Sequence, residues 1–181
     1  MGLGQMMLVI GAITMLSIVT LTVNSMMLTQ TVTVLDAEGN LNAVSMAQSM
    51  LDEIMRNAFD ASAVTKKIYK ASDFTVPASL GPSSTEAAYV STPDSSNPPK
   101  SINATLGYND IDDYHKYTRI VSNPRMGQFT ITDTVYYVVE TSPDKVSSTQ
   151  TFMKKVVVRV YHQNMKKPLE LSDVAIYRRY F

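Results

Sequence analysis

Charged side chains are absent from Met1 to Leu35; Asp36 is the first and Arg56 the first basic one. Within that stretch Met6–Leu28 reads MMLVIGAITMLSIVTLTVNSMML. A bilayer-spanning helix needs roughly 20 mainly apolar residues, so this segment is predicted to cross a membrane as a helix. A secretory signal peptide fits less well. No positive charge precedes the run, the run exceeds the usual apolar region, and no A-x-A pattern follows it. Gln5, Met6, Met7, Leu8, Val9, Ile10, Ile13, Leu16, Val19, Leu21 and Val23 are the residues expected to meet lipid or other helices.

Thr14, Ser17, Thr20, Thr22, Asn24 and Ser25 recur inside the apolar run, and Thr29, Gln30, Thr31 and Thr33 continue it. Small and hydroxylated residues at helical spacing allow close approach and hydrogen bonds between helices. That pattern suits a helix packing against copies of itself better than one meeting only lipid. From Leu41 to Phe59 an amphipathic pattern takes over. Leu41, Val44, Ala47, Leu51, Ile54 and Ala58 fall at spacings of three and four and are expected to pack on a sheet. Between the two lies TQTVTVLDAEGN, where Gly39 costs about 1 kcal/mol in a helix interior. Residues 5–59 therefore read as one rod, on the order of 80 Å at 1.5 Å per residue, with a weak joint between Thr29 and Asn40.

Ser72–Gly107 is rich in Ser, Thr and Pro and has no hydrophobic period, so it reads as a long surface loop. It holds one acceptor tripeptide for N-linked sugar, Asn103-Ala104-Thr105. Tyr117–Val121, Gln128–Thr141, Thr149–His162 and Leu169–Phe181 are rich in Val, Ile, Thr and Tyr. Turn signals at Asn123-Pro124, Ser142-Pro143-Asp144 and Lys167-Pro168 separate them, and such short connections imply an antiparallel meander of about four strands. The expected fold class is α+β: an apolar half-helix over 1–40 and a soluble head over 41–181. The head comprises an amphipathic helix (41–60), a loop (72–107) and a β-meander (117–181).

Composition narrows the chemistry. Lys+Arg and Asp+Glu are 16 each in 181 residues, which leaves no basic stripe for nucleic acid. The absence of cysteine removes disulfides, thiolate catalysis and sulfur-ligated metals. His115 and His162 stand apart without ligand spacing and read as surface or strand-edge residues. Asp110, Asp112 and Asp113 are calcium candidates, although they lack the D-x-[DN]-x-[DN]-G loop form and a solvated turn accounts for them more simply. With Glu140 they are also candidate paired carboxylates, although paired carboxylates need a cleft and no other titratable group is predictably close. No nucleotide-binding G-x-x-x-x-G-K-[ST] occurs. No enzymatic activity, cofactor or small-molecule substrate is expected. Tyr177, Tyr180 and Phe181 with Arg178 and Arg179 suit either a subunit contact or plain strand packing.

Three segments in order resemble a known family. Ala47–Asp60 (AQSMLDEIMRNAFD) is similar to the helix end of minor pilin-like proteins. Asp110–Tyr117 (DIDDYHKY) resembles their acidic-aromatic loop, notably in MSHA-type minor pilins. Lys154–Tyr161 (KKVVVRVY) resembles their penultimate strand. With the uncharged N-terminal helix, the whole resembles the type IV pilins and pseudopilins outside Ser72–Gly107. The resemblance implies a processing glycine, for which Gly4 is the candidate, and a carboxylate five residues into the mature helix. Counted from Gln5 that position is Val9, and counted from Met1 it is Gln5; neither is acidic.

The expected function is a structural subunit of a cell-surface filament, stored in the inner membrane before assembly. Its partners would be copies of itself and a pilus assembly machinery with its own motor. A minor pseudopilin of a type II secretion system is the alternative. A single-pass membrane protein with a periplasmic binding domain is a third reading, from another class.

Overall fold

A computed structural model describes residues 2–87, 104–165 and 167–178. Asn103 and the terminal Arg179, Tyr180 and Phe181 lie outside the described residues. The chain forms two units, Met1–Glu38 and Gly39–Phe181. The fold is α+β: a long N-terminal helix, α1 (Leu3–Met55), and a five-stranded antiparallel sheet on which its Gly39–Met55 stretch packs.

The 53-residue helix is continuous, so the stretch between Thr29 and Asn40 is helical rather than unwound, and the division between the two units falls within it. Gly39 has a packing reason instead: it is buried, and a Cβ built there would lie 3.2 Å from Met126 Cε. The expected apolar stripe is displaced. Leu41 is 73% exposed and Val44 36%, while the buried positions are Gly39, Ala43, Ala47, Met50 and Ile54. Leu51 is partly buried against the core. Small residues face the sheet because they let helix and strands approach closely, a preference that weighting by side-chain size overlooks. The helix also stops at Met55, short of Ala58. Asn57 turns back to donate to Glu53 O (3.3 Å), and Asp60 caps a new short helix, α2 (Ala61–Thr65), by accepting from Ser62 N (3.0 Å).

The Ser/Pro-rich stretch is not all surface. Phe74 is buried and Leu80 packs against the core, so its described part is pinned rather than loose. The strands are β1 (Thr118–Asn123), β2 (Gly127–Val139), β3 (Ser142–Val146), β4 (Met153–His162) and β5 (Leu169–Ile176). Their order is β1-β2-β4-β5, with β3 paired to the end of β2. Five strands replace the expected four because Ser142–Val146, read as a turn, returns along Val138 and Val139 through a bulge.

Registers align two inward rows. Phe129, Ile131, Asp133, Val135 and Tyr137 of β2 stand opposite His162, Val160, Val158, Val156 and Lys154 of β4. All ten are buried. Two aromatic groups fill the ends of this core. Phe59, Phe74, Phe152 and Tyr177 meet at 4.9–6.2 Å, and Tyr108, Tyr114 and Tyr117 at 5.0–5.8 Å. Tyr177, partly buried against the core, also accepts Ile68 N at 3.0 Å.

Lys116 adopts φ +66°, a left-handed conformation, in the turn before β1, where its N–H donates to Asp133 O at 3.0 Å. Such a position in a non-glycine residue costs on the order of 1 kcal/mol. Lys116→Gly is therefore expected to leave stability unchanged or slightly raised. Lys116→Val should lower it by about 1–3 kcal/mol; urea unfolding of both variants measures the difference.

Candidate functional site

The N-terminal unit offers a surface and no pocket chemistry. Every residue expected to mediate assembly, from Gln5 to Val23, lies on α1 and is exposed; Met6, Met7, Leu8, Val9, Ile10, Ile13, Leu16, Val19, Leu21 and Val23 range from 51% to 75%. Gly4 is helical and exposed. The hydroxyls do not point outward as donors. Thr14, Ser17, Thr20, Thr22, Thr29, Thr31 and Thr33 each donate to the carbonyl three or four residues earlier in the same helix, at 2.8–3.0 Å. The exterior is thus less polar than the sequence suggests. The helix is long and apolar enough to cross a membrane.

In the head unit, charge is concentrated where the end of α1, the loop before β1 and the sheet converge. Glu53 binds both terminal Arg119 guanidinium nitrogens at 2.8 Å. It also accepts from Thr105 Oγ1 (3.1 Å) and Tyr114 OH (3.2 Å). The Arg119 hydrogen bond holds the Glu53 carboxyl below its ordinary range. A bidentate pair of this kind fixes orientation as well as distance. Beside it lies a polar cleft of about 450 Å³ lined by Ser49, Asp52, Glu53, Arg56, Asn57, Thr105, Tyr108 and Tyr114.

Lys154 is fully buried, and each ammonium proton has an acceptor: Phe59 O at 2.7 Å, Asp60 Oδ2 at 3.1 Å and Asp112 Oδ1 at 2.6 Å. The Phe59 and Tyr137 rings flank it at 4.6 and 5.1 Å. Burial pushes Asp60 up, but Lys154, Ser62 and the Thr75 and Ser62 amides outweigh it and leave Asp60 below its ordinary value.

The three calcium candidates are buried, not solvated. Asp112 faces Lys154; Asp113 Oδ2 accepts from Asn109 N (2.9 Å) and Asp110 N (3.3 Å); Asp110 Oδ1 accepts from Asp113 N (3.1 Å). Their oxygens serve the chain itself, and among the described residues no three acidic, His or Cys side chains group as metal ligands. Burial, then repulsion from Asp112 and Asp113, pushes Asp110 up to about 8; burial pushes Asp113 up to about 6. Glu140 stands elsewhere in role, accepting from Phe152 N at 3.1 Å.

His162 is buried rather than at a strand edge. It stacks on Phe129 at 4.5 Å, accepts from Asn164 N at Nδ1 (3.2 Å) and so donates from Nε2 to Met126 O (2.8 Å). His115 is half-buried and accepts from Val135 N (3.2 Å); burial, then Lys116, holds its pKa down.

Sequence reading passed over Lys154 and Asp133. Both stand in phase with apolar rows, and that phase was the available signal. Asp133 is 1% exposed, and neither carboxylate oxygen has a hydrogen-bond partner among the described residues. Burial pushes it up to about 7. Against protein-family models, curated proteins and solved structures, the chain matches none.

Removing Lys154 would leave Asp60 and Asp112 buried without their cation. Lys154→Met is expected to cost about 3–5 kcal/mol, measured by urea unfolding. Asp110, Asp113 and Asp133 hold protons more tightly folded than unfolded. Raising pH from their ordinary 3.8 toward the folded 6 to 8 therefore favours the unfolded chain, and stability falls across that window. Glu53 and Asp60 act oppositely, losing their contribution as pH falls through their depressed values. Thermal unfolding should peak near about pH 5, and Asp133→Asn should flatten the decline above it, stabilising the chain at about pH 8 by on the order of 1–3 kcal/mol.

Proposed function

We propose that this protein is a non-catalytic structural subunit of a type IV pilus-like filament, polymerising through its N-terminal helix. The observation that carries the reading is the exposed, uncharged helical surface over Leu3–Leu35. Apolar surface left in water costs about 25 cal/mol per Å². Lipid removes that cost before assembly, because a helix satisfies its own backbone groups in the inner membrane. Packing against the helices of other copies removes it afterward. Hydroxyls bonded to their own helix carbonyls suit both surroundings. Identical subunits related by a rotation and rise that never close form an open helical polymer.

The head unit then forms the coat of the filament, displayed at the cell surface. The partners are copies of this chain, the inner membrane and an assembly machinery that supplies the motor; no nucleic acid, cofactor or small substrate enters. Val9 or Gln5 in place of an acidic residue implies docking without a carboxylate–amine pair.

Electron microscopy of filaments sheared from expressing cells, with mass spectrometry of their subunits, tests the proposal. Filaments built mainly from this chain are the expected result, and their first residue decides whether Gly4 precedes a cleavage. A small amount at filament tips would favour the minor pseudopilin. A chain absent from every filament and monomeric in the membrane fraction would overturn the proposal in favour of an anchored binding domain.

A further inference from the structure

Lys154 and Asp112 meet in a setting that suits bond formation as well as ion pairing. Nζ lies 2.6 Å from Asp112 Oδ1, so the Asp112 Cγ is one bond beyond the contact. Both side chains are buried, and the Phe59 and Tyr137 rings close over the amine. Asp60 Oδ2 and Phe59 O hold the nitrogen from the other sides, and Asp60 is itself fixed by Ser62 and Thr75. Asp110 supplies the remaining group: it is buried two residues before Asp112, held by accepting Asp113 N at 3.1 Å, and burial, then repulsion from Asp112 and Asp113, pushes it up to about 8, so it carries a proton at neutral pH. A salt bridge alone needs neither the second buried carboxyl nor the enclosing rings.

We propose that Lys154 and Asp112 join as an intramolecular isopeptide, with Asp110 as the proton relay. In low dielectric the ion pair converts readily to amine and carboxylic acid by one proton transfer from Nζ to Asp112. The Nζ lone pair attacks Cγ and the N–C bond forms. Asp110 gives its proton to the departing Asp112 hydroxyl as the C–O bond breaks, and water leaves. Asp110 then takes back a proton from the new amide nitrogen. The ammonium has lost two protons, both leaving with one Asp112 oxygen; charge balances and no oxidant or activating group is required. Contact between reactants in fixed geometry replaces that activation, and a positioned acid supplies the proton the leaving group needs.

The consequence is a covalent tie in a chain that has no cysteine. It would close the 42-residue separation between Asp112 and Lys154, joining the loop that lies on Ala58 to the strand between β2 and β5. This stands independently of the filament reading.

Tryptic mapping of the full-length chain, extracted in detergent from membranes and denatured, tests it. Cleavage after Lys145 and Lys155 but not after Lys154 should yield peptide 146–155 branched to peptide 101–116. The pair should be lighter than the two linear peptides by one water. Asp112→Asn should give a branch lighter by one ammonia, and Asp110→Asn, which keeps the Lys154 ion pair, should give linear peptides from a folded chain. Linear peptides with normal cleavage after Lys154 in the unmodified chain would overturn the proposal. A branch to the peptide carrying Asp60 would overturn the assignment to Asp112. Unchanged branching in Asp110→Asn would overturn the relay.

Discussion

Lys154 enters the core from β4 and meets Asp60, which follows α1, and Asp112, which precedes β1. Three elements distant in sequence thus depend on one cation. A buried ammonium is tolerable only when every proton is accepted and its charge is balanced. Phe59 O, Asp60 and Asp112 meet that condition, and the Tyr137 and Phe59 rings exclude water. The surplus of carboxylates around the lysine has a further effect. Buried, and beside Asp112 and Asp113, Asp110 cannot ionise cheaply, so it keeps its proton well into the neutral range.

The Glu53–Arg119 pair joins the last turn of α1 to the first strand. The Lys154 cluster ties the segment that follows the helix, and the loop before β1, to β4, so the end of α1 is held without a large apolar stripe. That explains why the packed helix face is made of Gly39, Ala43 and Ala47 with only Met50 and Ile54 as bulky anchors. Small residues bring the backbone close, and the ion pairs set the register of that approach. Asp133 shows the opposite case, a buried carboxyl with no partner among the described residues. Burial pushes it up to about 7, so it loses its proton as pH rises through neutrality and makes the core sensitive to alkaline pH.

The first unit obeys a different constraint. With no charge before Asp36, nothing in its stretch up to Leu35 competes with apolar surroundings. Seven of its hydroxyls donate to their own backbone. The reason lies in geometry: in a helix the carbonyl four residues earlier is always within reach, whereas a partner helix is not.

Periodicity and charge alone determined the α+β class, the uncharged helical segment and the antiparallel strands, because those follow from local pattern and turn chemistry. The Asn123-Pro124 turn and the β2 and β4 runs were legible for that reason. The sequence also held a signal that period-two reading exposes: Asp133, Lys154 and His162 occupy positions where an apolar residue is expected. It did not say what they meet. Only the tertiary structure decided that Leu41 faces out and Ala43 in, that the aspartates of 110–113 are buried, and that Ser142–Val146 returns as a strand. Asp112 meets its cation 42 residues away and Lys154 finds an acceptor 95 residues away, and such pairings are energetic results of the whole packed chain rather than properties of any local segment.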